Sequence, residues 1–267
     1  MDVRGVQQAL LDLGYNPGPV DGVWGHSSAS ACSAFQLDQG LTPDGIPGPA
    51  TQAALQAALA EAGADAPAVA PPQPMPPVLA RAQALGLEVW GDPWRLWLFG
   101  VRNPTRSAGL FDDALGACWT EGDGLWRCEW WPGTTDPGID WLEEPGRVSG
   151  TAVLVAGQYL DSWELGLHRS SYEALRQTGP VRVYRDNTRD RTLDLDPNTI
   201  TEGLYGINLH AATRRAGGVS TQVGRWSAGC QVHASEAGFT RMMELAHTQV
   251  ERSGRETFSY TLMDRWW

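Results

Sequence analysis

The 267-residue chain contains no lysine. That absence excludes Schiff-base chemistry and Walker-type phosphate loops, since both depend on a lysine amine. All 20 basic residues are arginine, set against 31 Asp and Glu, and the net charge is −11. Such an acidic balance argues against a nucleic-acid binder or an anionic-membrane binder, both of which need a cationic face. No apolar run approaches the length of a membrane span. Met1 to Leu13 has charges inside it and lacks the apolar stretch of a secretory signal. Cysteine is scarce: Cys32, Cys118, Cys128 and Cys230 form no C-x-x-C pair, which speaks against structural zinc and thioredoxin-type chemistry. Cys118 and Cys128 could flank a hairpin and pair in an oxidising space.

Hydrophobic residues make up 42% of the chain, enough for a substantial core, and 12 of its 13 tryptophans follow residue 89. Indole rings either fill such a core or stack on sugar and base faces. Residues 62–78, AGADAPAVAPPQPMPPV, hold six Pro and five Ala. That composition favours extended polyproline II at about 3.1 Å per residue, a semi-rigid linker spanning roughly 50 Å. It divides the chain into a domain of residues 1–61 and a second of residues 79–267.

The first domain reads as three short helices. Val6, Leu10 and Leu13 recur at helical spacing before Gly14, a C-cap position. Ala31, Cys32 and Phe35 belong to a second helix before Gly40, and a third runs from Pro49 through Leu55 and Leu59. Asp21-Gly22-Val23-Trp24-Gly25 returns 23 residues later as Asp44-Gly45-Ile46-Pro47-Gly48, with Ser28 and Thr51 in equivalent places. Glycine permits positive φ there and the Asp side chain bonds nearby amides. With its AFQ…GL…DG..G..T pattern, this stretch resembles the peptidoglycan-binding domain of the three-helix type. The resemblance implies a module that holds an enzyme on the cell wall, and it places Cys32 at an apolar helix position.

The second domain reads as mainly β, with strands expected at Trp94–Val101, Thr151–Ala156, Val181–Arg185 and Leu204–His210. Its clear helix is Ser235–Arg252, with Ser235 as N-cap and an apolar stripe of Phe239, Met242, Met243, Ala246 and Val250. The chemistry concentrates in GINLH (206–210) and GRWSAGCQVH (224–233). A strand there buries Ile207 and Leu209 and presents His210 on the other face. Cys230 follows two small residues that let a substrate backbone approach, and the amides of Gly229 and Cys230 could face a developing oxyanion. A Cys–His pair can exist as thiolate and imidazolium, a strong nucleophile with a proton for the leaving amine.

His210 with Ser227-x-Gly229-Cys230 resembles the signature of the L,D-transpeptidase (YkuD-like) family. The resemblance implies an α+β protein whose β-rich catalytic domain acts on peptidoglycan stem peptides. It implies Cys230 as nucleophile, His210 as base, and Ser227 and Gly229 as shapers of the loop and oxyanion site. The family's Arg two residues after the Cys is Val232 here, and the His-to-Cys separation of 20 residues is longer than usual. Arg225 or Arg214 could supply the missing charge, and His168, Tyr159 and Trp226 are further candidates for lining the cleft. Further runs carry the likeness over about 130–267: TTDPGIDWL (134–142), GTAVLVAGQY (150–159), LGLHRSSYEALRQ (165–177) and VRVYRD (181–186).

The leading expectation is an endolysin-like cysteine peptidase that forms an acyl-thioester on stem peptides, made in the cytoplasm and active at the wall after release. A transpeptidase that forms or exchanges cross-links, and a non-catalytic wall-binding protein, stay open. Peptidoglycan is the expected partner, without nucleic acid, membrane or cofactor, and the chain is expected to be a monomer. A zinc set from His168, His210, Cys230 and His233, and a calcium loop at 186–194, rank below these readings because both lack the usual ligand spacing.

Overall fold

The computed structural model describes residues 1–62, 75–105 and 108–264. Most of the Pro/Ala-rich segment expected to act as a linker lies outside the described residues. The first three helices are α1 (Val3–Asp12), α2 (His26–Asp38) and α3 (Pro49–Ala62). The Asp2 side chain caps α1 by accepting from the Gly5 amide at 2.8 Å, which satisfies an amide that has no partner within the helix. Val6, Leu10, Cys32, Phe35 and Leu55 close the core of this module. Burial pushes the Cys32 thiol up to about 12, so it packs as a small apolar group.

The two matching turns are each built around a buried glutamine. Gln7 donates to Val23 O (2.9 Å) and Ser28 Oγ (3.0 Å) and accepts from Gly22 N (2.8 Å). Gln36 repeats the pattern on Ile46 O (2.9 Å), Thr51 Oγ1 (2.9 Å) and Gly45 N (2.8 Å). Asp21 and Asp44 each accept from the amide two residues ahead at 2.8 Å. Gly22 and Gly45 have φ of +84° and +68°, the left-handed region where a side chain is strained.

Helix α2 buries two faces. Cys32 and Phe35 face the module core, while Ala34 and Leu37 pack into a second cluster with Trp97, Phe99 and Trp130. The module therefore docks on the β domain through α2. At the same seam His26 Nε2 accepts from Trp131 Nε1 at 2.8 Å and lies 3.7 Å from the Glu129 carboxylate.

Eight strands close a barrel in the order β1-β11-β5-β6-β9-β10-β3-β2. They are β1 (Trp97–Val101), β2 (Asp113–Thr120), β3 (Trp126–Thr134), β5 (Gly157–His168), β6 (Tyr172–Gln177), β9 (Leu209–Ala211), β10 (Gln231–His233) and β11 (Thr257–Met263). A three-stranded sheet, β4 (Thr151–Leu154), β7 (Val181–Asp186) and β8 (Thr201–Gly203), lies outside it in the order β4-β7-β8. The fold is α+β. Strand β1 shows why whole strands are buried: Leu98 joins the core that holds Trp163 and Tyr260, while Trp97, Phe99 and Val101 face the outer cluster. That outer cluster is roofed by Val78, Leu79 and Ala82 of α4 (Pro77–Ala84). Cys118 and Cys128 form a disulfide across β2 and β3, where they are register partners.

Helix α6 (Glu236–Ser253) begins where Ser235 Oγ accepts from the Gly238 amide, and ends at Gly254 with φ +69°. Its apolar stripe packs into the main core. Two short helices were not expected. Helix α4 starts within the Pro-rich stretch because Pro77 suits the first helical turn, and α5 (Ile139–Glu143) follows the Asp136-Pro137-Gly138 turn. The strand expected over Leu204–His210 is also corrected. Only Leu209–Ala211 pairs with the barrel, because Gly206 at φ +74° turns the chain beforehand. Among the described residues no helix is long and apolar enough to cross a membrane.

Replacing Gln36 by Ala strips partners from Gly45 N, Ile46 O and Thr51 at once, and is expected to cost about 2–4 kcal/mol. Gln8→Ala, which removes an exposed contact to Asp12, is expected to cost under about 0.5 kcal/mol. Urea unfolding of the full chain measures both; equal midpoints would contradict the assignment of Gln36 as the centre of the turn.

Candidate active site

The site forms where β9 and β10 run parallel. Gln231 is in register with Leu209, Val232 with His210, and the Gln231 amide donates to Asn208 O at 2.9 Å. Cys230 and His210 are thus two positions apart on neighbouring strands. At about 4.8 Å between strands and about 3.3 Å per residue, their Cα atoms are separated by roughly 8 Å.

The loop before Cys230 is held from three sides. Ser227 is fully buried; its hydroxyl donates to Cys230 O at 2.8 Å and accepts from the Gly229 amide at 3.1 Å. Its carbonyl accepts from Gly138 N at 2.9 Å. Gly229 has φ +115°, and a Cβ on it would run into the Ala152 carbonyl oxygen. The Gly229 amide, expected to serve an oxyanion, is therefore occupied by Ser227 Oγ. The Cys230 amide has no acceptor among the described residues and is the donor left for that role.

The Cys230 thiol is partly exposed. It donates to Gly206 O at 3.3 Å and accepts from the Asn208 amide at 3.5 Å. Both partners precede Leu209, and no hydrogen bond joins the sulfur to His210 among the described residues. Desolvation pushes the thiol pKa up, opposed by the Asn208 amide and by Arg169.

His210 is buried, since His168 stacks on it with ring centroids 4.1 Å apart. Its Nδ1 lies 3.0 Å from Ala211 O and 3.3 Å from the Tyr172 hydroxyl, which itself donates to Ala211 O at 3.1 Å. A carbonyl can only accept, so Nδ1 carries the proton and Nε2 the lone pair. That Nε2 has no partner within the described structure. Burial lowers the His210 pKa to about 3, with His168 adding to the effect. The resting pair is therefore a neutral thiol and a neutral imidazole; the ion pair open to a Cys–His arrangement is not its resting form.

The other expected residues divide. His168 belongs to the site: besides stacking on His210, its Nδ1 lies 3.0 Å from Asn208 Nδ2. Arg214 lies 4.5 Å over the Tyr172 ring and is exposed. Arg225 is engaged by Asp140 (3.6 Å) and Glu144 (3.3 Å). Trp226 is half exposed beside the loop. Tyr159 is a correction: it lies in the barrel core with its hydroxyl donating to Val155 O at 2.6 Å, away from any cleft. Val232, where the resembled family has Arg, is fully buried opposite His210. Tyr172, Asn208, Gly206 and Arg169 are site residues that sequence reasoning gave no role; Arg169 and Ser170, at φ +48° and +55°, form the tight turn between β5 and β6. No group of three or more His, Cys, Asp or Glu among the described residues is arranged to hold a metal ion. In the 186–194 loop, Asp186 and Asp190 accept instead from Thr188, Thr192 and the Asp194 amide.

The neutral thiol makes a direct prediction. Alkylation of Cys230 by iodoacetamide, located by peptide mass spectrometry, is expected to be slow at pH 7 and to rise steadily beyond pH 9. A rate already at its plateau by pH 7 would contradict the geometry, since it requires a preformed thiolate.

Comparison with known proteins adds the following. Residues 1–67 match the family model described as "Putative peptidoglycan binding domain". No curated protein matches the chain. Among solved structures, the chain is similar to an L,D-transpeptidase from Xylanimonas cellulosilytica at 18% identity and a TM-score of 0.36, covering 98% of this chain and 93% of that one. It is also similar to a fused Zn-dependent amidase/peptidase/peptidoglycan-binding domain-containing protein from Clostridium acetobutylicum, at 14% identity and a TM-score of 0.26, over 98% and 94% of the two chains.

Proposed function

We propose that the protein is a cysteine peptidase of the bacterial cell wall, acting on peptidoglycan stem peptides in an endolysin-like role. The observation that carries this reading is the pairing of a partly exposed Cys230, held at a glycine bend, with a neighbouring His210 whose Nδ1 is committed and whose Nε2 is unpaired. The match of residues 1–67 supports peptidoglycan as the partner that brings substrate to the site.

Catalysis starts with the thiol leaving Gly206 O and turning toward His210. Nε2 takes the thiol proton as the sulfur bonds to the scissile carbonyl carbon, and the oxygen that gains charge faces the Cys230 amide. Collapse breaks the C–N bond, and Nε2 returns its proton to the leaving amine. Water then attacks the acyl-thioester, giving a proton to Nε2, and the sulfur leaves and is reprotonated. An amine from a second stem in place of water would make the enzyme a transpeptidase.

One observation favours a non-catalytic reading: the thiol is bonded to Gly206 O, away from the imidazole. The readings part on purified murein. Wild type is expected to release soluble peptide products and Cys230→Ala none, with product masses separating hydrolysis from cross-link formation. Equal release by both sinks the thiol mechanism, and no release by wild type leaves a binding protein. The pH profile is a second check. His210 acts when unprotonated, and its pKa is lowered to about 3. The acid limb of kcat/KM should therefore lie well below pH 5, so activity holds between pH 7 and 5. An acid limb between pH 6 and 7, as for an ordinary histidine, would contradict it.

A further inference from the structure

Behind the catalytic loop lies a recess of about 210 Å³ lined by Trp141, Arg147, Ala152, Arg185, Tyr205 and Ala228, among others. It adjoins Cys230 along two chain segments. Ala228 is two residues before the cysteine, and Tyr205 directly precedes Gly206, whose carbonyl holds the thiol. Ala152 ties the recess to the same loop, since its carbonyl packs against Gly229.

The recess brings two cations together without an anion. Arg185 donates to Ser149 Oγ at 2.6 Å and lies 5.2 Å over the Tyr205 ring. Among the described residues neither Arg185 nor Arg147 has a carboxylate within ion-pair distance. The acidic side chains of the adjoining α5 and its C-cap are used elsewhere: Glu143 pairs with Arg191 at 3.1 Å, and Asp140 and Glu144 with Arg225 at 3.6 and 3.3 Å. Desolvation and the neighbouring Arg147 charge lower the Arg185 pKa. Arg185 is half-buried and Arg147 exposed at the same aromatic-walled recess, so an anion entering it meets two guanidinium groups, whose planar donor geometry matches a carboxylate.

We propose that the Arg147–Arg185 recess is a subsite for a free carboxylate of the peptide substrate, one that fixes the position of the scissile carbonyl over Cys230. This rests on the peptidase reading and extends it to substrate class: the preferred peptide carries an unamidated carboxylate close to the cleaved bond.

The test is calorimetric titration of the full-length Cys230→Ala protein, which binds without turnover. The probes are a murein stem tetrapeptide, its C-terminal carboxamide, and the form amidated on the side-chain carboxyl of the diamino acid. One amide is expected to bind about tenfold or more weakly than the free acid, as loss of a charge-assisted contact implies, and that amide identifies the carboxylate. Arg185→Gln should bring the free acid down to the affinity of that amide. Arg147→Gln, at an exposed position outside the regular strands, should weaken the acid alone by several-fold with an unchanged melting temperature. Equal binding of all three peptides by the parent protein, or an acid preference that survives both substitutions, overturns the subsite. Failure of wild type to digest murein, alongside a preserved acid preference, removes the peptidase reading and leaves the subsite standing.

Discussion

The parallel pairing of β9 with β10 is the constraint on which the site depends. Parallel register keeps Val232 against His210 and Gln231 against Leu209, so the cysteine and histidine come from segments 20 residues apart yet share one corner of the barrel. The pairing is only three residues long. Its strength comes from the surroundings: Leu209 and Ala211 sit in the main core, and the segment before β9 is tied by Gln177, whose Oε1 accepts from both Tyr205 N and Ile207 N at 3.0 Å. A short ladder fixed in this way can end in a glycine bend on each strand, and it is those bends that hold the thiol and its loop.

A buried polar network supports the same corner from beneath. Arg102 is fully buried, with Nε 2.7 Å from Asp136, Nη1 2.9 Å from Asp264 and Nη2 2.9 Å from Leu154 O. Next to it Asp113 accepts from Asn103 N at 2.7 Å and from Thr135 N at 2.6 Å, and burial with the neighbouring Asp136 charge pushes its carboxyl up to about 8. Burial and the Asp136 charge disfavour the ionised form of this carboxyl, while the amides of Asn103 and Thr135 oppose the shift. Gln231, adjacent to Cys230, joins the network by donating from Nε2 to Thr135 O at 3.5 Å, and its Oε1 accepts from the Tyr260 hydroxyl at 2.8 Å. Breaking such a network by deleting one partner typically costs about 3–5 kcal/mol. The position of Cys230 is thereby coupled to the closure of the barrel by β1 and β11.

The sequence made some of this legible and concealed the rest for physical reasons. Helices α1 and α6 could be read because their apolar spacing and caps are local signals. The buried glutamines could not, since Gln7 and Gln36 are 29 residues apart while the turns they serve repeat at 23. Helix α2 carries no clear stripe because it is covered on two faces. Strand β2 lacks polar alternation for the same reason, being buried along its whole length. At the site, the motif marked Cys230, His210, Ser227 and Gly229, and the structure gathers all four in one corner. Tyr172 and Asn208 were invisible because their roles depend on which strands become neighbours. Tyr159 was misplaced because a tyrosine on a β strand looks the same whether it faces a cleft or a core.

The proposed thiol chemistry depends most on the state of one ring. His210 must be neutral, with its proton on Nδ1, for Nε2 to serve as base. Nitrogen-15 NMR of the full chain at pH 7, with the His210 signals assigned by comparison with His210→Gln, reads this directly. The prediction is a neutral imidazole with a pyrrole-type Nδ1 and a pyridine-type Nε2, unchanged down to pH 5. An imidazolium at pH 7, or the proton on Nε2, would contradict it.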